Sequence, residues 1–436
     1  MTYSDPERYY REQEQIKAGI EEKYGKTTEQ LYAEREARAN AAINLEVPDR
    51  IPLSINADPC DFVAIPHSAA YYDPIGWKWA SRQVTVDFEP DLCNAGLPTS
   101  GATWEALGVT NRLWPGGTLP DDYHYQFREM EFMKADEYDM FFEDPTDFMI
   151  RRFFPRMYTK MAPLADLPPL GLMMSGFEGI TSLLASPEFA QAAAAVKKAG
   201  EETKRFRETI GDSYEDLAYL GFPPFSQLGA GGIGGAPFDV VSSFLRGMDG
   251  SMLDMYRQPD NLLRLCDMII ERRIAQATPP GPDKRGYRRR VGMPLWRGDK
   301  SFMSPEQFEK FYWPGLKKAL QAVIDLDCIP IPFIEAEYGE RLERLLELPK
   351  GKIIASVEYV DLKKAREVLT GHHCILVRGP FSLEKATPRE IVDCYKDIFD
   401  NYGKGGGLIL NIRLPDNRTV EEVQGLLQEI REYVRY

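Results

Sequence analysis

Two glutamates stand at the end of a short apolar run in the second half of the chain. The run Ile329–Ile334 is followed by Glu335 and Glu337 in the sequence I-P-F-I-E-A-E-Y. Because side chains alternate along an extended strand, a spacing of two places both carboxylates on the same face. Glu358 ends the next apolar run, I-I-A-S-V-E, at the corresponding position. Clustered carboxylates repel one another unless a cation, a proton or an arginine lies among them. The trio is therefore a candidate metal site, with zinc as the expected ion.

An ion-pair network is the alternative interpretation of the same three glutamates. Arg378 ends the run C-I-L-V-R, and Arg413 ends the run I-L-N-I-R, so both arrive at the end of a predicted strand. Carboxylates alone are a less specific signal for a metal than Cys or His ligands. The sequence leaves the metal site and the ion pair equally open. The two arginines are also candidate catalytic groups that would bind an acidic substrate.

Further candidates lie in the first quarter of the chain. Asp58 and His67 follow the first predicted strand and are candidate substrate-binding residues, and His67 is also suited to be a ligand or an acid. Asp87 and Asp91, in V-D-F-E-P-D-L, follow a second predicted strand, Val84–Phe88. They are candidate acid/base groups, with helix capping as the alternative for Asp91.

A glycine-rich segment ends in G-A-P-F-D, which contains Phe238 and Asp239. The segment lacks the G-K-[ST] of a phosphate-binding loop, so its glycines are better explained by close approach of the backbone to a flat ligand. Phe238 and Asp239 are therefore candidate substrate contacts. His124 lies in an irregular segment that does not distinguish it from a surface residue. His372 and His373 precede a strand, which places them away from chemistry.

Alternating strands and helices must position these residues. Capping boxes at Ser304, Thr387 and Thr419 start three of the helices. Repeated strand–helix units require parallel strands, so we expect an α/β chain that forms a (β/α)8 TIM-type barrel with its active site at the carboxyl ends of the strands. Besides 84–88, strands are predicted directly after Pro48 and at Gly171–Ser175, Ile329–Ile334, Ile353–Val357, Cys374–Val377 and Gly407–Asn411.

Composition and charge limit the possible domain organisation of the chain and the classes of partner that it could bind. Residues 1–40 are charged with partly helical spacing and predict an N-terminal helical extension, which would cover the barrel or the partner subunit of a homodimer. The barrel would take residues 41–436, with a loop-rich insertion or lid at about 95–165. A net charge of −14 argues against nucleic acid as a partner. Because neither a signal-peptide core nor an apolar run of about 18 residues occurs, we expect a cytoplasmic protein without a membrane segment.

The order of these landmarks resembles the uroporphyrinogen decarboxylase superfamily from about Ala41 to Tyr436. That superfamily contains the decarboxylase and the corrinoid-dependent methyltransferases. In the methyltransferase branch, H-x-C zinc ligands stand where this chain has Glu335 and Glu337, and a late cysteine is replaced by the region of Arg413. The decarboxylase signature R-Q-A-G-R is replaced by N-A-D-P-C-D-F. The motifs that carry the resemblance are P-D-R-I-P, G-A-P-F-D, M-S-P-E-Q-F-E-K-F-Y-W-P-G-L, I-P-F-I-E-A-E-Y and G-G-G-L-I-L-N.

A carboxylate-rich site is similar to that of the aryl methyl ether demethylases of anaerobic bacteria. The resemblance implies a methyltransferase that moves a methyl group from a small methylated substrate, here a methoxylated aromatic, to the cobalt(I) corrinoid of a separate protein. Glu335, Glu337 and Glu358 would hold zinc. Because the chain lacks the D-x-H-x-x-G motif that ligates a corrinoid, the corrinoid would come from a partner protein.

Two alternatives remain open at this point. One is a metal-free lyase or decarboxylase that uses Asp87 or Asp91 as its acid and Arg378 or Arg413 to bind an acidic substrate. The other is a barrel without catalytic activity that binds a tetrapyrrole or a partner. Release of carbon dioxide by the chain alone distinguishes the first, and ligand binding without turnover distinguishes the second.

Overall fold

The computed structural model describes residues 5–94, 98–168, 177–226, 232–335, 337–358, 360–414 and 418–436. None of the helices in these ranges combines the length and apolar character needed to cross a membrane. The strands are β1 (Leu53–Asn56), β2 (Arg112–Leu113), β3 (Gln126–Phe127), β4 (Arg290–Leu295), β5 (Ile329–Ile334), β6 (Ile354–Val357), β7 (Cys374–Arg378) and β8 (Leu408–Arg413).

Helices connect and surround these strands, and several contain short 3-10 or π-helical turns. The 3-10 segments are Thr159–Asp166, Gly339–Glu347 and Phe381–Lys385, and the π-helical segments are Met149–Phe153, Phe308–Tyr312 and Phe399–Gly403. The α-helices are α1 (Pro6–Tyr24), α2 (Thr28–Ile43), α3 (Pro59–Phe62), α4 (Ala69–Tyr72), α5 (Pro74–Phe88), α6 (Gly101–Leu107), α7 (Tyr138–Glu143), α8 (Pro145–Phe148), α9 (Phe154–Met157), α10 (Phe177–Leu184), α11 (Pro187–Ile210), α12 (Ser213–Tyr219), α13 (Pro237–Phe244), α14 (Gly247–Arg257), α15 (Pro259–Gln276), α16 (Pro305–Gln307), α17 (Trp313–Asp325), α18 (Leu362–Leu369), α19 (Pro388–Ile398) and α20 (Val420–Tyr433).

Six strands form one parallel sheet in the order β1-β8-β7-β6-β5-β4, and β2 pairs separately with β3. The sheet curls into a half-barrel. Its register sets Asn56 beside Arg413, Arg378 beside Asn411, and Ile334 beside Val357, so the carboxyl ends share one edge. The predicted α/β class with parallel strands is confirmed. The described residues supply six strands of the sheet, and closure into an eight-strand barrel stays a prediction.

Four strands of the second half agree closely with the sequence prediction. β5 has the predicted bounds, β6 and β7 differ by one residue, and β8 begins one residue later and ends two residues later than predicted. β4 was missed, because R-V-G-M-P-L contains a glycine and a proline that interrupt the strand pattern. The strand predicted at Gly171–Ser175 lies outside the described residues.

The strand predicted at Val84–Phe88 is wrong, because these residues form the last turn and a half of α5. Asp73 caps this helix by accepting a hydrogen bond from the Gly76 amide at 3.0 Å, and Pro74 occupies its first position. The helix ends where Glu89 adopts a left-handed conformation with φ of 47°. Short β-branched runs such as V-T-V do not by themselves separate strand from helix.

The two faces of the sheet pack against different partners. One face lies under helices such as α17, α19 and α20, whose apolar side chains join the largest hydrophobic core. The three predicted capping boxes, at Ser304, Thr387 and Thr419, are present and start α16, α19 and α20. The opposite face packs against the small apolar side chains of α2, which reach Ile329, Ile354 and Cys374 near the amino ends of β5, β6 and β7.

A buried ion pair connects α2 to the amino end of β4. The guanidinium of Arg290, the first residue of β4, donates to the two Glu36 carboxylate oxygens at 2.7 and 2.9 Å. The side chains are only 4% and 1% exposed. Arg290 also donates to the carbonyl oxygens of Pro224 and Phe225 at 2.6 and 3.1 Å. The N-terminal helices therefore cover the half-barrel of their own chain at its amino edge.

Removal of Arg290 is expected to destabilise the whole fold. Arg290→Ala leaves the Glu36 carboxylate buried without its partner, which typically costs about 3–5 kcal/mol. We expect a correspondingly lower urea midpoint and melting temperature, measured by circular dichroism. Glu201→Ala removes the exposed Lys197–Glu201 pair of α11, and as the matched control it should cost less than about 0.5 kcal/mol. Equal losses in the two variants would contradict this role.

Candidate functional site

The carboxyl ends of β6, β7 and β8 carry an ion-pair cluster. Arg413 donates a short hydrogen bond from Nη2 to Glu358, and these two side chains are only 6% and 5% exposed. Arg413 Nη1 also donates to Glu384 Oε1 at 2.6 Å. Arg378 Nε lies 3.8 Å from Glu358 Oε1, and its guanidinium lies over the ring of Phe333 at 4.2 Å. Arginine therefore neutralises Glu358 from two neighbouring strands.

Glu335 and Glu337 do not join Glu358 in one ligand set. Desolvation raises the pKa of Glu335, Glu358 raises it further, and Arg378 acts in the opposite direction. The Glu337 carboxylate turns to accept a hydrogen bond from the Gly339 amide at 2.9 Å. Within the described ranges, the three carboxylates do not gather their oxygens within 4.8 Å of one another. The predicted zinc trio does not fit this geometry, because Glu358 is paired with arginines and the Glu337 carboxylate is hydrogen-bonded within a turn.

Asp91 lies at the edge of the sheet opposite to the predicted one. Its carboxylate accepts hydrogen bonds from Arg38 Nη1 at 2.6 Å, from Arg50 Nη1 at 2.5 Å and from the amide of Leu53, the first residue of β1, at 2.8 Å. Burial would raise the pKa of Asp91, but the two arginines lower it below its ordinary value. The placement after a second strand is therefore corrected, and Asp91 closes the amino edge.

Asp87 lies on α5 and not at a strand end. Its carboxylate accepts hydrogen bonds from the Gln83 side chain, one turn earlier, at 3.0 Å, and burial raises its pKa. The prediction that Asp87 lies at the catalytic edge depended on a strand at 84–88 and is wrong for the same reason.

Asp239 is buried behind the loop that follows β4. Its carboxylate accepts hydrogen bonds from the Arg297 amide at 3.0 Å and from the Tyr312 hydroxyl at 2.7 Å. Burial raises the pKa of Asp239 to about 7, against these hydrogen bonds. Phe238, also buried, packs with its ring centre 6.2 Å from that of Tyr312. Asp239 therefore holds the Trp296–Arg297 turn from behind, and Phe238 packs in the core beside Tyr312.

Asp58, His67 and His124 form the one group of three potential metal ligands among the described residues, with one ligand atom from each within 4.8 Å of the others. Asp58 caps α3, beyond the carboxyl end of β1, through a hydrogen bond from the Cys60 amide to Oδ1 at 2.9 Å. Its Oδ2 lies 3.4 Å from His67 Nδ1. The rings of His67 and His124 are 4.4 Å apart. The sequence singled out Asp58 and His67 but not His124, which sequence spacing alone could not connect to them.

An aromatic cavity of about 390 Å³ lies near this trio, lined by Tyr71, Trp77, Trp104, Tyr125 and Arg112 with Ala70, Pro98 and Thr99. The charge of Asp58 contributes to the raised pKa of Tyr71, so the cavity and the trio lie within electrostatic range. The aromatic composition of the segment predicted to be a lid is the one feature of the sequence that points to this cavity.

The chain was compared with family models, with curated proteins and with solved structures, and a similarity was found among the solved structures. No family model matches the chain, and no curated protein matches it in sequence. Among solved structures, the chain is similar to a methyltransferase from Methanosarcina mazei, with a TM-score of 0.53 and 16% sequence identity. The similarity covers 92% of this chain and 98% of that one. At this level of identity the similarity is one of fold.

The raised pKa of Asp239 predicts a pH-dependent stability. Its protonated form is favoured in the folded state, so its contribution is fully present below pH 4 and is lost as the pH rises through about 7. Asp239→Asn cannot titrate. We therefore expect the free energy of unfolding of the wild type, relative to this variant, to fall by up to about 4 kcal/mol between pH 4 and 8.

Urea unfolding at a series of pH values measures this difference. Asp136→Asn changes an exposed aspartate and is the control, whose stability curve should run parallel to that of the wild type. If the curves of Asp239→Asn and the wild type also run parallel, a buried protonated carboxyl group at this position is ruled out.

Proposed function

We propose that this protein is a methyltransferase that moves a methyl group from a methoxylated aromatic compound to the cobalt(I) corrinoid of a separate corrinoid protein. The observation that carries the proposal is the aromatic cavity near the carboxyl end of β1. Ligand sites are typically concave, largely apolar and about 300–1,000 Å³ in volume. The cavity volume of about 390 Å³ is suited to a single substituted ring.

The cavity wall recognises a flat ring and a negative substituent. Aromatic side chains such as Trp77 and Trp104 stack on or pack edgewise against a ring. Arg112, whose guanidinium lies 5.1 Å from the centre of the Trp104 ring, has no carboxylate partner among the described residues. The Trp77 Nε1 group is buried and lacks a hydrogen-bond acceptor in the same ranges. A carboxylate on the substrate ring would accept hydrogen bonds from such a cation and such an N–H group.

Tyr71 is placed to assist cleavage of an aryl methyl ether. The bond between the methyl carbon and the ether oxygen breaks, and the oxygen keeps the electron pair. The corrinoid supplies the nucleophile that receives the methyl group. Burial raises the pKa of Tyr71 to about 12, so its hydroxyl stays protonated at neutral pH and is able to donate a hydrogen bond to the developing phenolate.

The fold supports the same class of reaction, since the similar structure from Methanosarcina mazei is a methyltransferase and is matched over nearly its whole length. The decarboxylase alternative has lost its proposed acids, because Asp87 lies on a helix and Asp91 lies at the amino edge. Arg413 is occupied by Glu358 and Glu384. We propose zinc as an aid to the transfer, but not at Glu335, Glu337 and Glu358.

The test is turnover of methoxybenzoates with chemically reduced cobalamin as the methyl acceptor. We expect the corresponding hydroxybenzoate to form while the cobalamin becomes methylated. Chromatography measures the hydroxybenzoate. Arg112→Ala should raise KM for the anionic substrate roughly 10- to 100-fold, because a hydrogen bond to a charged group contributes about 1.5–3 kcal/mol. The KM for methoxybenzene, which lacks the carboxylate, should change little in this variant.

Arg257→Ala, at an exposed arginine on α14, is the control and should leave the KM of both substrates unchanged. Release of carbon dioxide without a methyl acceptor would instead indicate a lyase. Tight binding of the methoxybenzoates without turnover, even with a corrinoid protein present, would indicate a binding barrel.

A further inference from the structure

We infer that Asp58, His67 and His124 bind a divalent transition-metal ion of the zinc class. Two imidazole nitrogens and one carboxylate oxygen are ordinary zinc ligands, and a set of three leaves a position open for a substrate oxygen or water. The inference concerns ion binding alone and does not depend on the proposed methyl transfer. It differs from the expected glutamate site both in its residues and in its place on the sheet.

The distances suit a metal centre after small side-chain movements. Metal–ligand bonds of about 2.0–2.1 Å in tetrahedral geometry place neighbouring ligand atoms about 3.3 Å apart. Asp58 Oδ2 and His67 Nδ1 are already 3.4 Å apart. One ring nitrogen of His124 lies within 4.8 Å of a ligand atom of each of the other two residues. His124 is exposed, so its ring has room to rotate towards the ion.

The backbone holds the ligands before any ion arrives. Asp58 is oriented by the hydrogen bond that its Oδ1 accepts from the Cys60 amide, and its Oδ2 faces His67. The Ser68 amide donates to the Asp121 carbonyl oxygen at 3.1 Å and so joins the loop that carries His67 to the loop that carries His124. Outer hydrogen bonds of this kind fix the direction of metal ligands.

The charges around the trio favour a cation. No lysine or arginine of the described residues lies within ion-pair distance of Asp58. Neither imidazole ring makes a hydrogen bond within the same ranges, although the two rings are 4.4 Å apart. Two imidazole rings beside a carboxylate supply the nitrogen and oxygen atoms that ions of the zinc class bind. Asp61, whose Oδ1 lies 3.9 Å from His67 Nε2, adds a further negative charge.

The experiment titrates Zn²⁺ into the full-length protein after treatment with chelator, using isothermal calorimetry, and repeats the titration with Co²⁺ to record its visible absorption. We expect one bound equivalent and the absorption of a nitrogen- and oxygen-ligated ion. His124→Ala changes an exposed side chain and should weaken binding by about 100-fold or more. Asp58→Asn keeps an oxygen that can cap α3 but removes the charge, and it should weaken binding as well.

His372→Ala is the matched control, because His372 and His373 also form a pair of rings, 4.5 Å apart, without belonging to a ligand group. This variant should bind Zn²⁺ as the wild type does. The inference is overturned if the wild type binds no equivalent, if His124→Ala and Asp58→Asn bind as tightly as the wild type, or if Glu335→Gln and Glu337→Gln abolish binding while the other two do not. Metal binding without methyl transfer would leave this inference standing and would refute the proposed function alone.

Discussion

Parallel pairing of the six strands divides the molecule into two edges of different chemistry. The amino ends of β1 and β4 meet fully paired charges, in which Asp91 is held by two arginines and Arg290 by Glu36. Asp91 also accepts a hydrogen bond from the Leu53 amide, and Arg290 also donates to the Pro224 and Phe225 carbonyl oxygens. Such additional hydrogen bonds are the condition under which a buried ion pair is tolerated. The N-terminal helices supply several of these groups, so this edge is closed. Beyond the carboxyl ends, in contrast, Arg112 lines the aromatic cavity without a carboxylate partner among the described residues.

Charge balance separates the two candidate sites at the carboxyl edge. Glu358 lies between Arg413 and Arg378, so a metal ion there would have to displace a guanidinium and would then face a second one. Asp58 has no such competitor among the described residues and is flanked by imidazoles, which bind a metal in their neutral form. A carboxylate is therefore part of an ion-pair cluster at Glu358 and a candidate metal ligand at Asp58. The difference lies in the neighbouring strands and not in the carboxylates themselves.

The sequence predicted what depends on local pattern and missed what depends on contacts between distant segments. The strands at 329–334, 354–357 and 374–378 were predictable because buried parallel strands are short apolar runs bounded by polar residues. The three capping boxes were predictable for the same local reason. Asp91 was misplaced because its arginines, Arg38 and Arg50, come from segments about 40 to 50 residues earlier in the chain. His124 was missed because Asp58 and His67 lie on another loop, and Arg112 was missed because no spacing in the sequence reports which side chains line a cavity.

The segment predicted to be a lid contributes residues to both the proposed substrate cavity and the proposed metal site. In the described part of 95–165, short helices and the two-residue strands β2 and β3 place Arg112, Trp104 and Tyr125 around one cavity. The same segment carries His124 to Asp58 and His67, which belong to the loop after β1. A regular sheet thus fixes one half of each site, and an irregular segment supplies the other. Because loops tolerate sequence change far better than buried strands do, the segment predicted to be a lid is the part of this chain in which the proposed substrate cavity and the proposed metal site are able to change together while the sheet stays the same.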